Sequence, residues 1–576
     1  MKKKLTALAM AVVLCLGCAS CGTSGTATAS PAATASASPS ADDMFTDQDF
    51  EIGYSNYVTI TLADSGSSAD GSGVTVSGST VTITQEGTYL LTGSLSSGQV
   101  IVDTADTAKV HLVLNNVSIT CPDSAAITIK QADKVFLTTA EGSKNTLSVT
   151  GDYVKTDDDK VDAAIFSKSD LTMNGSGTLT ISASYGHGVV SKDDLKVTSG
   201  TYVITAASSG LSGKDSVRIA DGNFTITSGK DGIHAENSDD ITKGFIFISG
   251  GTFNITAGSD GMDAATALTI QDGTFTITAG GGSANAITKS FGQSNDGQGR
   301  QWTQFGPGGS GGNAPAPDAA QSSSAGSTPP SGSFPAGGST TGDNTTGSST
   351  TGSSSTGSAT GSSSTGNSTA VSDAAGSDTT ESSSSEKGLK AGETLTVSGG
   401  TFTLDCADDT IHTNGDLTVS GGTFQLSTGD DGMHADGALS ITGGTIDIAK
   451  SYEGIEGATI SISDGTISVV SSDDGLNAAG GSDTSSTDAS ASQNAFAADA
   501  ADSIHISGGE LTVNADGDGI DSNGDLTVSG GTIYVSGPTA SDNGALDYGG
   551  TGTITGGVLI AAGSTGMAEN FGSDST

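Results

Sequence analysis

Residues 415–480 read GDLTVSGGTFQLSTGDDGMHAD, then GALSITGGTIDIAKSYEGIEGA, then TISISDGTISVVSSDDGLNAAG. These are three versions of one unit. Leu417 recurs as Leu439 and then Ile460, a period of about 22 residues, which marks a solenoid whose repeats bury their apolar faces only by stacking. Each unit opens on a short run such as Leu417-Thr418-Val419, apolar at every second position as in a half-buried strand. A Ser-Gly-Gly-Thr corner follows, then a second run, Phe424-Gln425-Leu426, then Asp-Gly-Met-His with a single apolar residue among polar ones. Gly supplies the positive φ that sharp corners need. No unit holds a run of helix formers long enough for a stable helix. Short strands alternating with corners, repeated every 22 residues or so, predict an all-β, three-sided parallel β-helix. A leucine-rich repeat has a similar period, but its L-x-x-L-x-L signature is absent.

Composition agrees with an elongated body. Of the 576 residues 86 are Gly, and only 5% are aromatic, which suits a core of stacked Val, Ile, Leu and Phe better than a globular one. The net charge of −43 argues against nucleic-acid binding and against direct adsorption on anionic lipid, both of which need Lys and Arg on phosphate. It favours bound cations, because dense carboxylates repel unless neutralised. A monomer is expected.

Residues 1–21 have the pattern of a lipoprotein signal peptide. Lys2, Lys3 and Lys4 form a basic start, Leu5 to Gly17 an apolar stretch, and Cys18-Ala19-Ser20-Cys21-Gly22 resembles a bacterial lipoprotein cleavage site. Cys21 is the expected lipid anchor, with Cys18 second, so the only membrane attachment expected is this lipid, at the extracellular face of a bacterial membrane. Cys121 and Cys406 lie far apart in sequence and imply no disulfide framework.

Residues 22–48 are rich in Ser, Thr, Ala and Pro and read as a tether. Residues 49–162 hold irregularly spaced strands, an N-terminal cap and first coils. Regular coils run over 163–289, where Lys168, Lys192 and Lys214 recur at one edge beside Asp170, Asp193, Asp194 and Asp215 and read as a ladder of exposed ion pairs. Residues 290–388 become Gly, Ser, Thr, Asn and Pro, a composition that cannot form a core. Coils resume over 389–576, interrupted by a polar loop at 480–499. Both interruptions are expected to leave from the corner that carries the Asp-Gly unit. No capping segment follows Gly566-Met567-Ala568-Glu569, which leaves room for a longer parent chain.

Aligned coil by coil, that corner yields two columns. The residue before the corner Gly, or before Thr410, is Asp231, Asp260, Asp409, Asp431, Glu453, Asp474 and Asp518; two residues beyond it stand His234, Asp263, His412, His434, Glu456, Asn477 and Asp521. Coils stack about 4.8 Å apart. Two carboxylates at that distance repel by about 0.9 kcal/mol in water and roughly four times that at an effective dielectric of 20. Raised pKa values relieve this; outside the cell a divalent cation does so better. Hard oxygen donors at flexible spacing suit Ca²⁺ with its roughly six to eight ligands, whereas Mg²⁺ demands stricter octahedral geometry. The candidate ligands are Asp231, Asp260, Asp263, Asp409, Asp431, Glu453, Glu456, Asp474, Asp518 and Asp521. Asp-Gly is also a common turn pair, so any single Asp can be a turn former. His412 and His434 beside Asp409 and Asp431 leave a zinc site open as well.

At these motifs the sequence resembles the secreted, calcium-binding, carbohydrate-binding β-helix proteins of anaerobic bacteria, similar in fold to pectate lyases. The most specific stretches are Lys450-Ser451-Tyr452-Glu453-Gly454-Ile455-Glu456-Gly457, Asp473-Asp474-Gly475-Leu476-Asn477-Ala478-Ala479 and Asn543-Gly544-Ala545-Leu546-Asp547-Tyr548. The resemblance implies a right-handed parallel β-helix, Ca²⁺ on stacked acidic corners, and binding of plant cell-wall polysaccharide, notably polygalacturonate. Ser209-Gly210-Leu211 and Asn285-Ala286-Ile287 depart from it by lacking the acidic residue, which puts a calcium site at those two coils in doubt. Bound Ca²⁺ can bridge protein and uronate carboxylates, reversing the local sign. Beside Glu453, Lys450 is a candidate partner for a uronate carboxylate, or else for Glu453 or Glu456, and Tyr452 a candidate platform for a sugar ring. Two other readings stay open. One is a calcium-assisted lyase, with Lys450, Lys230 or Lys289 as the base for β-elimination. The other is an adhesin whose calcium only stiffens the solenoid.

Overall fold

The structure, a computed structural model, describes residues 44–154, 160–286, 385–479, 501–541, 543–567 and 569–572. The signal segment with Cys21, the tether up to residue 43, Lys289 and the loop at 480–499 lie outside the described residues. So does the low-complexity stretch up to residue 384.

Strand follows strand with no α-helix among the described residues; the one helical turn is a 3₁₀ segment, Asp47–Phe50. Three ladders of parallel strands climb the molecule side by side. The corner ladder runs through short strands such as Ile233–Ala235, Met262–Ala264, Leu389–Ala391 and Ile411–Thr413. The leucine ladder runs through Ala267–Ile270, Thr394–Val397 and Asp416–Val419. The phenylalanine ladder runs through Thr252–Ala257, Thr274–Ala279, Thr401–Cys406 and Thr423–Thr428. One continuous strand, Met433–Ser451, pairs in turn with a member of each ladder, so a single coil passes through all three faces. This is a three-sided parallel β-helix, with Leu417 opposite Leu439 and Leu439 opposite Ile460 as the repeat requires. Antiparallel pairing occurs near the N-terminal end, between Val58–Leu62 and Ser68–Ala69 and between Val74–Ser77 and Thr80–Ile83.

Alternation decides which side chains go inside. In Thr423–Thr428 exposure and burial alternate, with Phe424 and Leu426 buried. Because the register is exact from coil to coil, identical residues stack. Tyr202, Phe224, Phe253, Phe275, Phe402 and Phe424 form one column, the five ring-to-ring distances falling from 5.3 to 4.6 Å. Each such aromatic pair contributes about 0.5–1.5 kcal/mol beyond the burial of its area. Cys121 and Cys406 are free, buried thiols.

The two kinds of corner need Gly for different reasons. In the Ser-Gly-Gly corner Gly422 sits at φ 105°, where a Cβ is strained. The Gly of the Asp-Gly corner is not in that region. A Cβ on Gly475 would stand 2.5 Å from the Gly519 carbonyl oxygen of the next coil and 2.2 Å from Val513, so close approach, and not positive φ, selects Gly there.

Several sequence expectations need correction. The coil interrupted at Ala286 is completed after the low-complexity stretch by Lys387-Gly388-Leu389-Lys390, with Leu389 opposite Met262 on one side and Ile411 on the other. Coil structure therefore resumes by Ser385, before the boundary expected at 389, and Asn285 is not the corner residue of that coil. The two interruptions also leave from different corners. The long one precedes a corner strand, between Thr274–Ala279 and Leu389–Ala391, whereas 480–499 follows one, between Leu476–Ala478 and Ser503–Ile506. Lys168, Lys192 and Lys214 do succeed one another at one edge, since Ser167, Ser191 and Gly213 are ladder partners. Two of their acidic neighbours turn elsewhere, Asp194 to Arg218 at 3.0 Å and Asp215 to Lys243 at 2.6 Å, while Lys192 pairs with Glu236 at 3.3 Å.

Candidate metal centre

The corner ladder fixes the order of the acidic ridge. Ladder partners give the column Ser212, His234, Asp263, Lys390, His412, His434, Glu456, Asn477, Asp521, Asp547. Backbone hydrogen bonds between successive corners give the second column, Asp231, Asp260, Lys387, Asp409, Asp431, Glu453, Asp474, Asp518. All ten candidate ligands named from sequence lie in these two columns. From sequence the coil between Asp263 and His412 is expected at Asn285-Ala286-Ile287; in the structure Lys390 holds that place.

Most corner carboxylates share one structural duty. Asp260 Oδ1 accepts from the N–H of Lys387 at 2.8 Å, Asp409 Oδ1 from Asp431 at 2.9 Å, Asp431 Oδ1 from Glu453 at 3.3 Å, and Asp474 Oδ1 from Asp518 at 2.6 Å. Asp518 Oδ1 accepts from the Gly544 N–H. One oxygen of each thus ties its corner to the backbone of the next coil, and not to its own turn. The second oxygen distinguishes them.

From Asp231 to Asp431 the protein supplies basic partners itself, although burial still raises the Asp260 carboxyl and, with Asp409, the Asp431 carboxyl. His234 Nδ1 lies 3.4 Å from Asp231 and 3.3 Å from Asp263. Lys390 reaches Asp260 at 3.2 Å and Asp263 at 3.6 Å. Lys387 reaches Asp409 at 2.6 Å and Asp408 at 3.0 Å, and His412 Nδ1 lies 2.8 Å from Asp409. Burial alone would raise the Asp409 carboxyl, but Lys387 and His412 hold it well below the usual carboxylate range. Asp263 is lowered against the same burial by His234 and Lys390. His434, stacked on His412 with ring centres 4.7 Å apart, is fully buried among Asp431 at 3.2 Å, Asp436 at 3.0 Å and Glu456 at 2.8 Å. Against the effect of burial, those carboxylates push its pKa up.

Beyond Glu456 the internal cations stop. Asp474, Asp518 and Asp521 each present an oxygen within 4.8 Å of the others. No Lys, Arg or His forms an ion pair with any of the three among the described residues. Burial, then Asp473 and Asp521, push Asp474 up to about 8. Burial, then Asp518 and Asp547, push Asp521 up to about 7, and burial puts Asp518 at about 6. Glu453 is raised well above the carboxylate range by burial and by Glu456. Asn477, between Glu456 and Asp521 in the column, donates Nδ2 to Glu453 at 2.8 Å, and its Oδ1 is buried without a partner. Asn477 is the ladder partner of Asp521, and its unpaired amide oxygen and the three carboxylates are the kind of hard oxygen donors that Ca²⁺ accepts. Asn477 stood in the sequence column, but only its unpaired oxygen singles it out.

Lys450 and Tyr452 are placed differently from each other. Lys450 sits at a register shift where the strand leaves the phenylalanine ladder, and it donates to the Ser283 carbonyl at 2.6 Å, not to Glu453 or Glu456. Tyr452 is half-buried on the corner and hydrogen-bonds Asp473. Lys230 forms no ion pair with the ridge among the described residues.

Fold and ridge together define a parallel β-helix whose corners carry stacked carboxylates. The chain matches the family described as carbohydrate-binding domain-containing protein over residues 77–432 and 433–544, and it belongs to that family. A carbohydrate-binding domain-containing protein of Acetivibrio thermocellus is 38% identical over 136 residues, 23% of this chain and 48% of the relative. The match thus spans about half the length of that relative. Among solved structures, a polysaccharide lyase-like protein from C. thermocellum, a gadolinium derivative, is 36% identical, with a TM-score of 0.38, over 39% of this chain and 92% of that one.

Proposed function

We propose that the chain is a calcium-dependent receptor for acidic polysaccharide, of the polygalacturonate kind, anchored at the bacterial surface through Cys21. The observation that carries this reading is the change along the ridge. Lysines and histidines pair with it up to Glu456, and among the described residues none does so at Asp474, Asp518 and Asp521. Ca²⁺ there would be held by those carboxylates and Asn477 Oδ1, and would supply positive charge facing a uronate. Membership of a carbohydrate-binding family supports a polysaccharide as partner. The residues nearby act without chemistry: Asp547 extends the column, and Tyr452 offers a ring edge at the same corner.

The test is retention of the purified chain on immobilised polygalacturonate with Ca²⁺ and with EDTA. Retention with Ca²⁺ that EDTA abolishes, with no ultraviolet-absorbing unsaturated product, is the expected result. Unsaturated product would make the chain a lyase. Calcium that raises Tm without any retention would leave only a stiffened scaffold.

A further inference from the structure

The acidic ridge is not the only charged feature with unusual placement. In a chain of net charge −43, three cations and three hydrogen-bonding side chains gather on the outer face of the leucine ladder, far along the coil from Asp474. Thr172, Lys196 and Arg218 are successive ladder partners, flanked by Phe136 on one side and Phe247 on the other. Lys134 stands one step over, beside the Phe136 ring at 5.2 Å. Asn174 and Thr198 close the other edge.

A segment of the same chain lies on this face. Met44–Glu51 puts the Asp49 carboxylate, wholly buried, among the cations: 2.6 Å from Lys134 Nζ, 3.8 Å from Lys196 Nζ, and accepting from the Thr172 hydroxyl at 2.7 Å. Asn174 and Thr198 donate to the Asp49 carbonyl at 3.0 and 2.7 Å, Arg218 to the Met44 carbonyl at 3.3 Å, and Phe45 packs on Phe247. The segment takes no part in the ladders. Its N–H groups of Asp49 and Glu51 turn back on Thr46 and Gln48. On its C-terminal side Glu51 to Tyr57 are exposed, and the first coil strand starts only at Val58. A carboxylate, two carbonyls and a ring from a short strap therefore occupy a face built of cations, amide and hydroxyl donors, and two flat rings.

We propose that this face is a second, calcium-independent binding site for a uronate-bearing polysaccharide, and that Asp49 is a built-in stand-in for the sugar acid that must lift before the polymer binds. Lys134, Lys196 and Thr172 take the uronate carboxylate, Asn174 and Thr198 take ring hydroxyls, and the Phe247 face takes a sugar ring in place of Phe45. Binding involves no covalent step. The choice of polymer rests on the reading proposed above, but the site is separate from the ridge, so a test in EDTA decides it apart from calcium.

The experiment is titration calorimetry of the full chain with polygalacturonate in EDTA, comparing wild type with Asp49→Asn and Asp49→Ser, folding being checked by circular dichroism. Both variants are expected to bind at least about ten-fold more tightly than wild type, and adding Lys196→Met is expected to remove the gain. In wild type, saturating polymer is expected to speed amide exchange in Met44–Glu51. Folded variants with no gain would make the strap a structural staple only. Variants that do not fold would show the strap to be part of the coil, which also overturns the proposal. Equal gain for heparin or DNA would reduce the face to an unselective polyanion patch.

Discussion

Asp521 shows what a single residue decides on this ridge. It shares its corner with Asp518 and Asp547, and burial with their charge pushes its carboxyl up to about 7. Asp521→Asn keeps the shape and removes one charged ligand. Calcium affinity is expected to fall by at least about ten-fold, read by calorimetry. The same residues set a pH dependence. Asp474 at about 8, Asp521 at about 7 and Asp518 at about 6 lie above the value near 3.8 of an unfolded Asp. Between those limits the folded state holds more protons than the unfolded one, so in EDTA their contribution to stability is fully present below about pH 4 and is lost progressively as pH rises to about 8. The lowered groups Asp263 and Asp409 act oppositely, losing their contribution only as pH falls below the ordinary carboxylate range. Tm in EDTA is therefore expected to drop progressively between about pH 4 and 8, and saturating Ca²⁺ to abolish that drop, because the metal replaces the protons. A Tm flat over that range in EDTA would mean that these carboxylates are already neutralised.

At the scale of the element, the coil and not the residue is the unit. Phe402 touches Phe275 at 4.7 Å and Phe424 at 4.6 Å, in coils on either side of it. Phe402→Ala is expected to cost about 3–5 kcal/mol in chemical denaturation, since coils held in register cannot collapse into the gap. The apolar period made the strands legible in the sequence, because Leu417, Leu439 and Ile460 carry the repeat without interruption. The lysine coil was not legible. Its two halves are separated by the low-complexity stretch, and only the pairing of Leu389 with both Met262 and Ile411 reunites them. Missing it hid the division of the ridge into a self-neutralised part and a bare part. Nor does spacing reveal that Lys450 turns to Ser283, since a register shift carries it off the corner. The lysine coil offers its own test. Lys390 lies 3.2 Å from Asp260 and 3.6 Å from Asp263, and takes the place a metal would fill. Lys390→Gln is expected to raise the bound calcium by one ion per chain, measured after equilibrium dialysis. An unchanged count would mean that His234 alone neutralises those two carboxylates.

For the whole molecule, the question is how a solenoid tolerates a long interruption in the middle of a coil. Each coil is held by its neighbours above and below, so the coil needs only its two ends fixed. Both ends are. Before the interruption, Asn285 donates to the Gly280 carbonyl at 2.8 Å and Ser283 N–H to Asp405 at 2.7 Å. After it, Ser385 donates to Asp260 at 2.8 Å and the Lys387 carbonyl accepts from the Gly261 N–H at 2.8 Å. Glu386 lies against Gly280, near enough that a Cβ on that glycine would meet the Glu386 Cβ at 2.6 Å. Chain entering and chain returning thus meet at one corner, and the bridge between them need not be long. Replacing residues 289–382 by about ten Gly and Ser residues shortens the closed loop roughly nine-fold, which lowers the entropy cost of closing it by about 2 kcal/mol. The shortened chain is expected to unfold at the same or a slightly higher denaturant concentration, with calcium binding unchanged, because contacts among the described coils hold the candidate ligands. A lower midpoint, or loss of calcium binding, would mean that the low-complexity stretch supplies contacts the coils depend on.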